Sequence, residues 1–526
     1  MAMGSKVKLG NLLSLLTDYH ANGAYKKLKE NVELFDEPDY AVMIRTTNFE
    51  QNNFDSNLKY ISEHAYNFLE KSKVKAGDII MNKIANAGSS YLMPDLNCPV
   101  SLAMNLFLLR IDEDKANSTF VYLYLKLNED YVKSFANGSV TKTITKEAVR
   151  NLEIELPERS MQDYIVKVYM DYVSKLTLNQ KTNQTLEQMV QALFKSWFVD
   201  FDPVFDNLLA SADFKLENLE TSLPDELIQK AQRRLAALDS LENAAEIKTS
   251  LSALAHELQA LSPTKEATQA AVQILGKTAE TPVKANVSAN PKILAQHANT
   301  HAHFPNEFEH NEQLGWVPKG WSVDKADKVA DIAIGKTPPR KQKEWFSDNP
   351  LNNKVWVSIK DMGGNKTFIG DSSEYLTSES ISKFNVKVVP KDSVILSFKL
   401  TLGRVCITKC DLTTNEAIAH FVNPKHSMSK EYVYLYLKCF DYGSLGSTSS
   451  IATAVNSKII KAMPFLVPNK TVLSSFKGSV ENIFFKMDTL GSETTSLTKL
   501  RDTLLPKLIS GELQIPDVTI DEEVVN

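Results

Sequence analysis

An internal duplication constrains the fold of this chain of 526 residues more than any other feature. The string FVYLYLK at 120–126 returns as YVYLYLK at 432–438. Four more pairs of short blocks keep the same order: 42–45 with 357–360, 77–88 with 392–403, 152–157 with 463–468, and 186–194 with 497–505. Unrelated apolar strings would not keep both order and spacing, so we predict two copies of one module.

Each copy begins with a strand-rich part. Short runs rich in β-branched residues and bounded by Gly, Asp or Asn predict strands, and they lie at 41–45, 78–81, 355–359 and 394–398. A helix, a Gly/Ser/Thr stretch and a last strand ending at Pro157 or Pro468 complete each copy.

A long amphipathic helix is predicted after each of these prolines. In the second copy Leu473, Phe476, Val480, Ile483, Met487 and Leu490 step by three and four, which is typical of a coiled-coil seam. The first copy has the corresponding seam at Ile165, Val168, Tyr172 and Leu176, and again at Leu186, Val190, Leu193 and Trp197. Gly511 is predicted to end the second helix in a left-handed conformation, after a kink at Pro506.

Composition and charge limit the function classes. With 43% hydrophobic and 23% charged residues the chain is globular and multidomain. It has no membrane-spanning run, no secretory signal and no paired CxxC among its four cysteines, so we expect a cytoplasmic protein without a membrane partner. The net charge is −5, but 319–410 holds 16 basic and 10 acidic residues, whereas 201–262 holds 5 and 11.

The sequence carries no catalytic signature. It lacks a phosphate-binding GxxxxGK[ST] loop, a glycine-rich dinucleotide or methyl-donor loop, HExxH and GxSxG. His297, His301, His303 and His310 cluster without a cysteine or paired carboxylate, so no metal site is predicted. Asp392 and Lys399 could imitate part of a nuclease site, but no third ligand accompanies them. A duplicated chain without catalytic residues favours a binding or assembly scaffold.

Three segments resemble specificity subunits of type I restriction–modification enzymes. LEQMVQALFKSWFVDFDP at 186–203 is similar to the family's central helical region, and LTKLRDTLLPKLISGEL at 497–513 is similar to its distal helical region. LGWVPKGWSV at 314–323, with IGKTPPR at 334–340, is similar to the entry into a target-recognition domain. The stretch between Asp202 and Leu314 is longer and richer in Ala than the family's usual spacer.

The resemblance implies an α+β fold. Two duplicated mixed α/β target-recognition domains are separated by two long helices, packed as an antiparallel coiled coil with pseudo-twofold symmetry. The expected division is a first domain at 1–160, a central helix at 161–201, a helical insert and flexible linker at 202–313, a second domain at 314–470, a distal helix at 471–513 and an acidic tail at 514–526.

The resemblance also implies a non-catalytic subunit that reads a bipartite, gapped sequence in double-stranded DNA, one half-site per domain, with the helices as a ruler. Two methylation subunits would bind S-adenosylmethionine and methylate adenine at N6. Two motor-nuclease subunits would hydrolyse ATP with magnesium and cut DNA. This chain would hold no cofactor itself.

Candidate DNA-binding side chains lie on predicted loops of both copies, because bases must be read by side chains that reach their edges. They are Arg45, Thr46, Lys83, Asn86, Lys142 and Thr143 in the first copy, and Lys336, Thr337, Arg340, Lys341, Lys360, Lys399 and Arg404 in the second. The block alignment pairs Arg45 with Lys360 and Lys83 with Phe398, so equivalent places carry different residues.

Candidate contacts with the partner subunits lie on the two helices: Leu193, Trp197, Phe198, Phe201, Leu504, Leu505 and Leu508. For Trp197 and Phe198 the core of the helix pair is an equally good interpretation. Two alternative functions stay open. A scaffold of the same fold that has lost DNA reading is favoured by the slightly acidic 1–160, and a nuclease or methyltransferase would require activity that depends on Asp392.

Overall fold

The computed structural model describes residues 5–138, 141–219, 223–241, 244–260, 300–364, 366–445 and 455–513, with the backbone alone for 256–260. The predicted acidic tail, the linker up to 299 with His297, and the Gly/Ser/Thr residues 446–454 lie outside these ranges. The described chain forms two compact units: unit 1 holds residues up to 178 together with 493–513, and unit 2 holds 179–492. None of the helices in these ranges is long and apolar enough to cross a membrane.

Unit 1 is built on two small sheets and a two-stranded ribbon. Its strands are β1 (Ser5–Lys8), β2 (Leu13–Asp18), β3 (Ala41–Ile44), β4 (Tyr60–Ile61), β5 (Lys73–Val74), β6 (Ile79–Asn82), β7 (Ser90–Leu92), β8 (Val100–Leu102), β9 (Leu106–Ile111) and β10 (Glu153–Leu156). Its short helices are α1 (Leu9–Leu12), α2 (Tyr25–Asn31), α3 (Thr46–Glu50), α4 (Glu63–Phe68), α5 (Ser118–Leu127), α6 (Glu129–Ser134) and α7 (Lys146–Arg150). The sheet orders are β2-β9-β6-β7 and β4-β3-β8-β5, and β1 pairs with β10.

A long helix, α8 (Arg159–Phe198), connects the two units along the chain, and three helices of the insert follow: α9 (Asp202–Ser211), α10 (Asp225–Asp239) and α11 (Ala244–Ala260). The strands of unit 2 are β11 (Phe308–Asn311), β12 (Gly315–Pro318), β13 (Ser322–Lys325), β14 (Asp331–Ile334), β15 (Phe346–Ser347), β16 (Lys354–Val357), β17 (Phe368–Ile369), β18 (Tyr375–Leu376), β19 (Val394–Ser397), β20 (Val405–Thr408), β21 (Thr413–Thr414), β22 (Ile418–Val422) and β23 (Pro464–Val467). The remaining helices are α12 (Ala326–Val329), α13 (Ser378–Phe384), α14 (Lys430–Cys439), α15 (Ser457–Ala462) and α16 (Lys470–Ile509).

Strand pairing repeats between the units. The order β14-β22-β19-β20 in unit 2 corresponds to β2-β9-β6-β7, with β17 added at the edge, and β18-β16-β21 corresponds to β4-β3-β8. The ribbon of β13 and β23 corresponds to β1 and β10. The predicted α+β fold with a duplicated module is therefore confirmed.

The strand register of β3 and β16 corrects the predicted alignment of residues 42–45 with 357–360. Ile44 pairs with Leu102 in a parallel bridge, and Val357 pairs with Thr414 in the corresponding bridge, so Ile44 corresponds to Val357. The counterpart of Arg45 is then Ser358 and not Lys360. Apolar blocks could not reveal this shift of two residues, because side chains in a strand alternate with a period of two. The pairing of Lys83 with Phe398 is kept, since each follows the last residue of an equivalent strand.

Equivalent helices begin with equivalent side-chain caps, which satisfy backbone N–H groups that have no partner inside the helix. The side chain of Asn117 accepts a hydrogen bond from the N–H of Phe120 at the start of α5, and Ser429 does the same for Tyr432 at α14. Thr145 at α7 and Asn456 at α15 form a second pair of this kind. Polar caps before apolar runs are thus a local reason why both copies fold alike.

The two long helices α8 and α16 pack closely as an antiparallel pair. In unit 1 Lys175 of α8 forms an ion pair of 3.3 Å with Glu493 of α16. In unit 2 the rings of Phe194 and Phe476 lie 5.9 Å apart. Residues later in α8 thus contact residues earlier in α16, so the two helices run in opposite directions. In the predicted seam Val480, Met487 and Leu490 are buried. Gly511 has the predicted left-handed φ of 70°, while α16 continues through Pro506 to Ile509.

The first part of the insert belongs to the core of unit 2. Val204, Phe205 and Leu209 of α9 and Leu227 of α10 are buried in the same cluster as the sheet and the helix pair. The segment 202–239, predicted as part of a helical insert, therefore packs into the core of unit 2. Its role in the fold is to cover the end of α8 and the strand pair β11–β12.

Candidate nucleic-acid interface

In unit 2 four loops meet at one edge of the sheets, and we call residues 335–337, 358–363, 398–404 and 415–417 the second loop cluster. The loop 415–417 is connected to the other three loops through backbone hydrogen bonds. The N–H of Asn415 donates to the carbonyl of Val357 (3.0 Å), and the N–H of Phe398 donates to that of Ala417 (2.9 Å). The N–H of Lys336 donates to the carbonyl of Thr414 (2.9 Å).

The corresponding edge of unit 1 carries the first loop cluster, residues 45–48, 83–89, 103–105 and 141–143. Its central loop uses the same bonds: Ala103 N–H donates to the Ile44 carbonyl (3.0 Å), and Lys83 N–H donates to the Asn105 carbonyl (2.9 Å). The loop 141–143 joins through an antiparallel bridge between Ile84 and Thr143. All six DNA-binding candidates of the first copy lie in this cluster.

Three of the six candidates of unit 1 are held by neighbouring groups. Lys83 forms an ion pair of 3.1 Å with Asp18, whose carboxylate also binds Lys146 at 3.0 Å. Arg45 donates to the carbonyl of Asn57 (3.0 Å), and the Thr143 hydroxyl donates to that of Asn137 (3.4 Å). Sequence reasoning missed Asp18 and Lys146, because nothing local links Asp18 to lysines far along the chain.

The carboxylate of Asp18 gives unit 1 a pH dependence. Burial raises the pKa of Asp18, but hydrogen bonds from Lys146 and Lys83 outweigh burial, so the pKa lies below its ordinary value of 3.8. A lowered folded-state pKa stabilises the fold above the ordinary value, and this stabilisation is lost as pH falls through the folded-state pKa.

Asp18→Asn is expected to lower the free energy of unfolding of unit 1 by about 1–3 kcal/mol at pH 7, because it removes charge-assisted hydrogen bonds. The difference from wild type should shrink as pH falls below about 4. Hydrogen exchange of β2 and β9 between pH 7 and 3 measures it. Asp36→Asn is the matched control, because Asp36 is 82% exposed in its pair with Lys59. An Asp18→Asn difference that stayed constant over this range would contradict the assignment.

Some candidates of unit 2 are also held. The Arg404 guanidinium donates to the carbonyl of Ile359 (2.7 Å), and Thr337 hydrogen-bonds Glu416. Arg340 lies outside the second loop cluster. It forms two hydrogen bonds with Glu374 and lies over the ring of Trp356 at 4.4 Å. These contacts shape the loops and occupy the guanidinium groups, so direct base reading by Arg340 would require breaking them.

The other candidates expose polar side chains that form no hydrogen bond or ion pair with any described part of the chain: Asn86, Lys142, Lys336, Lys341, Lys360 and Lys399. Thr46 is half-exposed at the start of α3. Three of these lysines, Lys336, Lys360 and Lys399, belong to the second loop cluster. Exposed ammonium groups on one edge are suited to phosphate contacts, which set position without reading sequence.

The absence of a side chain at Gly335 allows its loop to lie directly against the loop 415–417. A Cβ at this position would lie 2.1 Å from the carbonyl oxygen of Asn415 and 2.1 Å from the hydroxyl of Thr414. Backbone atoms at that distance must move, so no side chain fits unless the loop 415–417 shifts.

Gly335→Ala is therefore expected to destabilise unit 2 by roughly 1–3 kcal/mol, the usual cost of overpacking. Tryptophan fluorescence during urea unfolding measures it, because all five tryptophans lie between 179 and 492. Gly478→Ala is the control: no atom lies within 4 Å of its Cβ in α16, so a gain of about 0.5–1 kcal/mol is expected. Equal effects of the two substitutions would refute the close approach.

The residues predicted to bind partner subunits are mostly in the cores. Trp197, Phe198 and Phe201 are buried against Phe304, Trp321 and Phe476 in unit 2, and Leu505 and Leu508 are buried in unit 1. Leu193 and Leu504 are half-buried. Burial favours the core interpretation of Trp197 and Phe198, although Phe198 and Phe201 line one wall of an open cleft of about 310 Å³ with Trp316 and Tyr436.

The residues considered for catalysis or metal binding lie apart. Asp392 precedes β19 and forms an ion pair of 2.5 Å with Lys430, whereas Lys399 follows the other end of that strand. His301 is 2.9 Å from Asp206, and His310 contacts the ring of Trp316. In the described ranges no group of three potential metal ligands occurs.

The chain is similar to several known proteins. The family model described as "Type I restriction modification DNA specificity domain" matches residues 6–188. The HindI specificity subunit of Haemophilus influenzae is 29% identical over 459 residues, covering 84% of this chain and 88% of that protein. The MjaIX specificity subunit of Methanocaldococcus jannaschii is 29% identical over 192 residues, covering 34% of this chain and 42% of that protein. A type I S subunit structure from M. genitalium aligns over 98% of this chain and 96% of its own, with 13% identity and a TM-score of 0.44.

Residues 6–188 are thus similar to the DNA specificity domain of type I restriction–modification systems. Over 84% of its length the chain is similar to the specificity subunit of one of these enzymes, in agreement with the resemblance found in the sequence. Both of these similar proteins are named as specificity subunits.

Proposed function

We propose that this chain reads a bipartite, gapped sequence in double-stranded DNA, with one half-site contacted by each loop cluster. The observation that carries the proposal is that the two loop clusters share the same backbone hydrogen bonds but carry different side chains. Lys83, Ala85 and Asn86 of the first cluster correspond to Phe398, Leu400 and Thr401 of the second. A shared frame with different side chains fits recognition of two different half-sites, because base identity is read through side chains.

The partners follow from this role. We propose that the chain assembles with two methylation subunits, which bind S-adenosylmethionine and methylate adenine at N6 in the target. Two motor-nuclease subunits, which bind ATP and magnesium, would join the same complex. The repeated module supports this stoichiometry, because two similar surfaces on one chain can bind two copies of one partner. The complex would work in the cytoplasm, where the DNA is.

The first experiment is modified-base mapping of the source genome with and without this gene. Loss of N6-methyladenine from one gapped motif is the expected result, and it would give both half-sites at once. If methylation is unchanged, DNA binding by the complex reconstituted with the methylation subunit decides the case. Binding that neither prefers a sequence nor weakens with salt would overturn the proposal.

A domain exchange tests the division into half-sites. Residues 1–160 are replaced by the corresponding segment of a relative with a different target. Only one half of the methylated motif should change, because the second loop cluster remains intact. The reciprocal exchange of 314–470 is the matched control and should change the other half. Changes in both halves, or in neither, would exclude separate reading by the two clusters.

A scaffold that has lost DNA reading is the second candidate, and one observation in unit 1 favours it. The single carboxylate of Asp18 binds both Lys83 and Lys146 beside the first loop cluster and offsets one of their two positive charges, which lowers the positive charge there. This candidate predicts partner assembly without salt-sensitive DNA binding. The proposed function predicts both, so a salt titration of the assembled complex separates the two.

A further inference from the structure

One apolar side chain of the second loop cluster points into solvent. Leu400 is completely exposed, at 101% of the reference area, between β19 and β20. Single exposed leucines are common on protein surfaces. This one is unusual because its backbone has a positive φ of 61°, a conformation that bulky residues rarely adopt.

The loop around Leu400 is fixed by its own hydrogen bonds. The N–H of Thr401 donates to the carbonyl of Lys399 (2.7 Å), so Leu400 is the central residue of a γ-turn. The Ser397 hydroxyl donates to the carbonyl of Thr401 (2.5 Å), and Gly403 N–H donates to the carbonyl of Ser397 (3.0 Å). The strained residue is therefore held at a defined place, which an unused surface loop would not need.

The first copy has an aliphatic residue at the equivalent place. Ala85 has a φ of 67° and is exposed, and Gly88 N–H donates to the carbonyl of Asn82 as Gly403 does to Ser397. Gly or Asn would adopt this conformation with less strain. Each copy instead places a side chain of carbon atoms alone at its loop tip, one small and one large.

The surroundings of Leu400 fit a duplex. Lys399 precedes it, and the cluster also exposes Lys336 and Lys360, whose ammonium groups suit phosphates. Arg404, at the other end of the loop, binds the carbonyl of Ile359 and so ties the Leu400 loop to the Lys360 loop. An aliphatic tip flanked by cations can approach a base edge while the cations contact the backbone. The one apolar feature on a base edge is the C5-methyl group of thymine in the major groove.

We propose that Leu400 contacts the C5-methyl group of a thymine in the second half-site and contributes to its recognition. This inference rests on the proposed reading of DNA by the second loop cluster. It assigns a specificity role to a residue that carries no charge and no hydrogen-bonding group in its side chain.

The test compares thymine with deoxyuridine, which lacks only that methyl group. The reconstituted complex with the methylation subunit is titrated with duplexes that carry the mapped motif, replacing each thymine of the second half-site in turn by deoxyuridine. Wild type should bind one of these duplexes roughly fourfold more weakly, the usual effect of one buried methyl group. Leu400→Ala should bind that duplex and the thymine duplex equally.

Two further variants keep the result interpretable. Leu400→Asn suits the left-handed conformation, so it should fold at least as stably as wild type while losing the preference for thymine. Leu351→Ala is the control: Leu351 is 72% exposed but precedes β16, at the sheet edge away from the cluster, and the preference should remain.

The outcomes separate this inference from the proposed function. Wild type can show salt-sensitive binding to the motif and yet respond to every deoxyuridine replacement as Leu400→Ala does. In that case the role of Leu400 is refuted and the proposal of DNA reading stands. The assignment to thymine is also overturned if Leu400→Ala weakens binding to all duplexes equally. If wild type does not bind the motif at all, both proposals fail.

Discussion

Asp206→Ala is expected to lower the free energy of unfolding of unit 2 by about 3–5 kcal/mol, the effect seen when one partner of a buried ion pair is removed. The Asp206 side chain has no exposed surface. Arg234 donates two hydrogen bonds to its carboxylate, at 2.7 and 2.8 Å, and His301 lies 2.9 Å away. Without this carboxylate the half-buried guanidinium of Arg234 loses its main partner and keeps only the longer ion pair with Asp202, at 3.4 Å.

The position of Asp206 explains why the effect should spread beyond the insert. Burial raises the pKa of this carboxyl, but Arg234 and His301 outweigh burial and lower the pKa below 3.8. The same turn of α9 holds the returning chain, because the amide of Asn207 donates to the carbonyls of His301 (2.9 Å) and Phe304 (3.0 Å). Loss of Asp206 should therefore loosen Phe304, which packs against Trp197 and Trp321.

Urea unfolding followed by tryptophan fluorescence reports on unit 2, since all five tryptophans lie in it. Asp239→Ala is the matched control on α10: its carboxylate pairs with Lys248 and is 55% exposed, so its loss should change the unfolding free energy by less than about 1 kcal/mol. If both variants unfold at the same urea concentration, the triad of Asp206, Arg234 and His301 does not stabilise unit 2.

The duplication could be predicted from the sequence because its signals are local. Apolar blocks such as 120–126 and 432–438 become buried helices, and the polar residues before them, Asn117 and Ser429, become caps. The same signals could not set strand register. A shift by two residues leaves the same side chains on the same face, so Arg45 was aligned with Lys360 and not with Ser358.

The candidate interface could be predicted only in part, for a physical reason. Loops that follow equivalent strands meet at one edge, so the order of the strands was enough to bring Lys83 and Lys399 into loop clusters. Whether a cation is free depends on partners far along the chain. Lys83 is bound by Asp18, and Arg340 is bound by Glu374, whereas Lys399 has no ion pair within the described ranges. Composition and motifs carry no information on such pairs.

Replacing Lys336, Lys360 and Lys399 together by alanine is expected to weaken binding of the assembled complex to duplex DNA by roughly 10- to 100-fold at low salt. Each free lysine in contact with a phosphate contributes up to about 1 kcal/mol under these conditions. The fold should be little disturbed, because the three side chains are exposed and form no hydrogen bond or ion pair among the described residues.

The salt dependence distinguishes phosphate contact from other causes. Each neutralised phosphate adds about 0.9 to the slope of log affinity against log salt, so the triple variant should lose roughly 2–3 from this slope. Its preference among sequences should stay the same, because phosphate contacts carry no base information. Fluorescence anisotropy with labelled duplexes between 50 and 200 mM salt gives both quantities.

The control carries the same change of net charge at the other edge of the sheets. Lys354, Lys387 and Lys391 lie before β16 and β19 or at the start of these strands, whereas the second loop cluster follows their ends. If that variant lowered the affinity and the slope as much as the cluster variant did, net charge and not the cluster would explain the binding. A selective loss in the cluster variant would place the phosphates of the second half-site against these three loops.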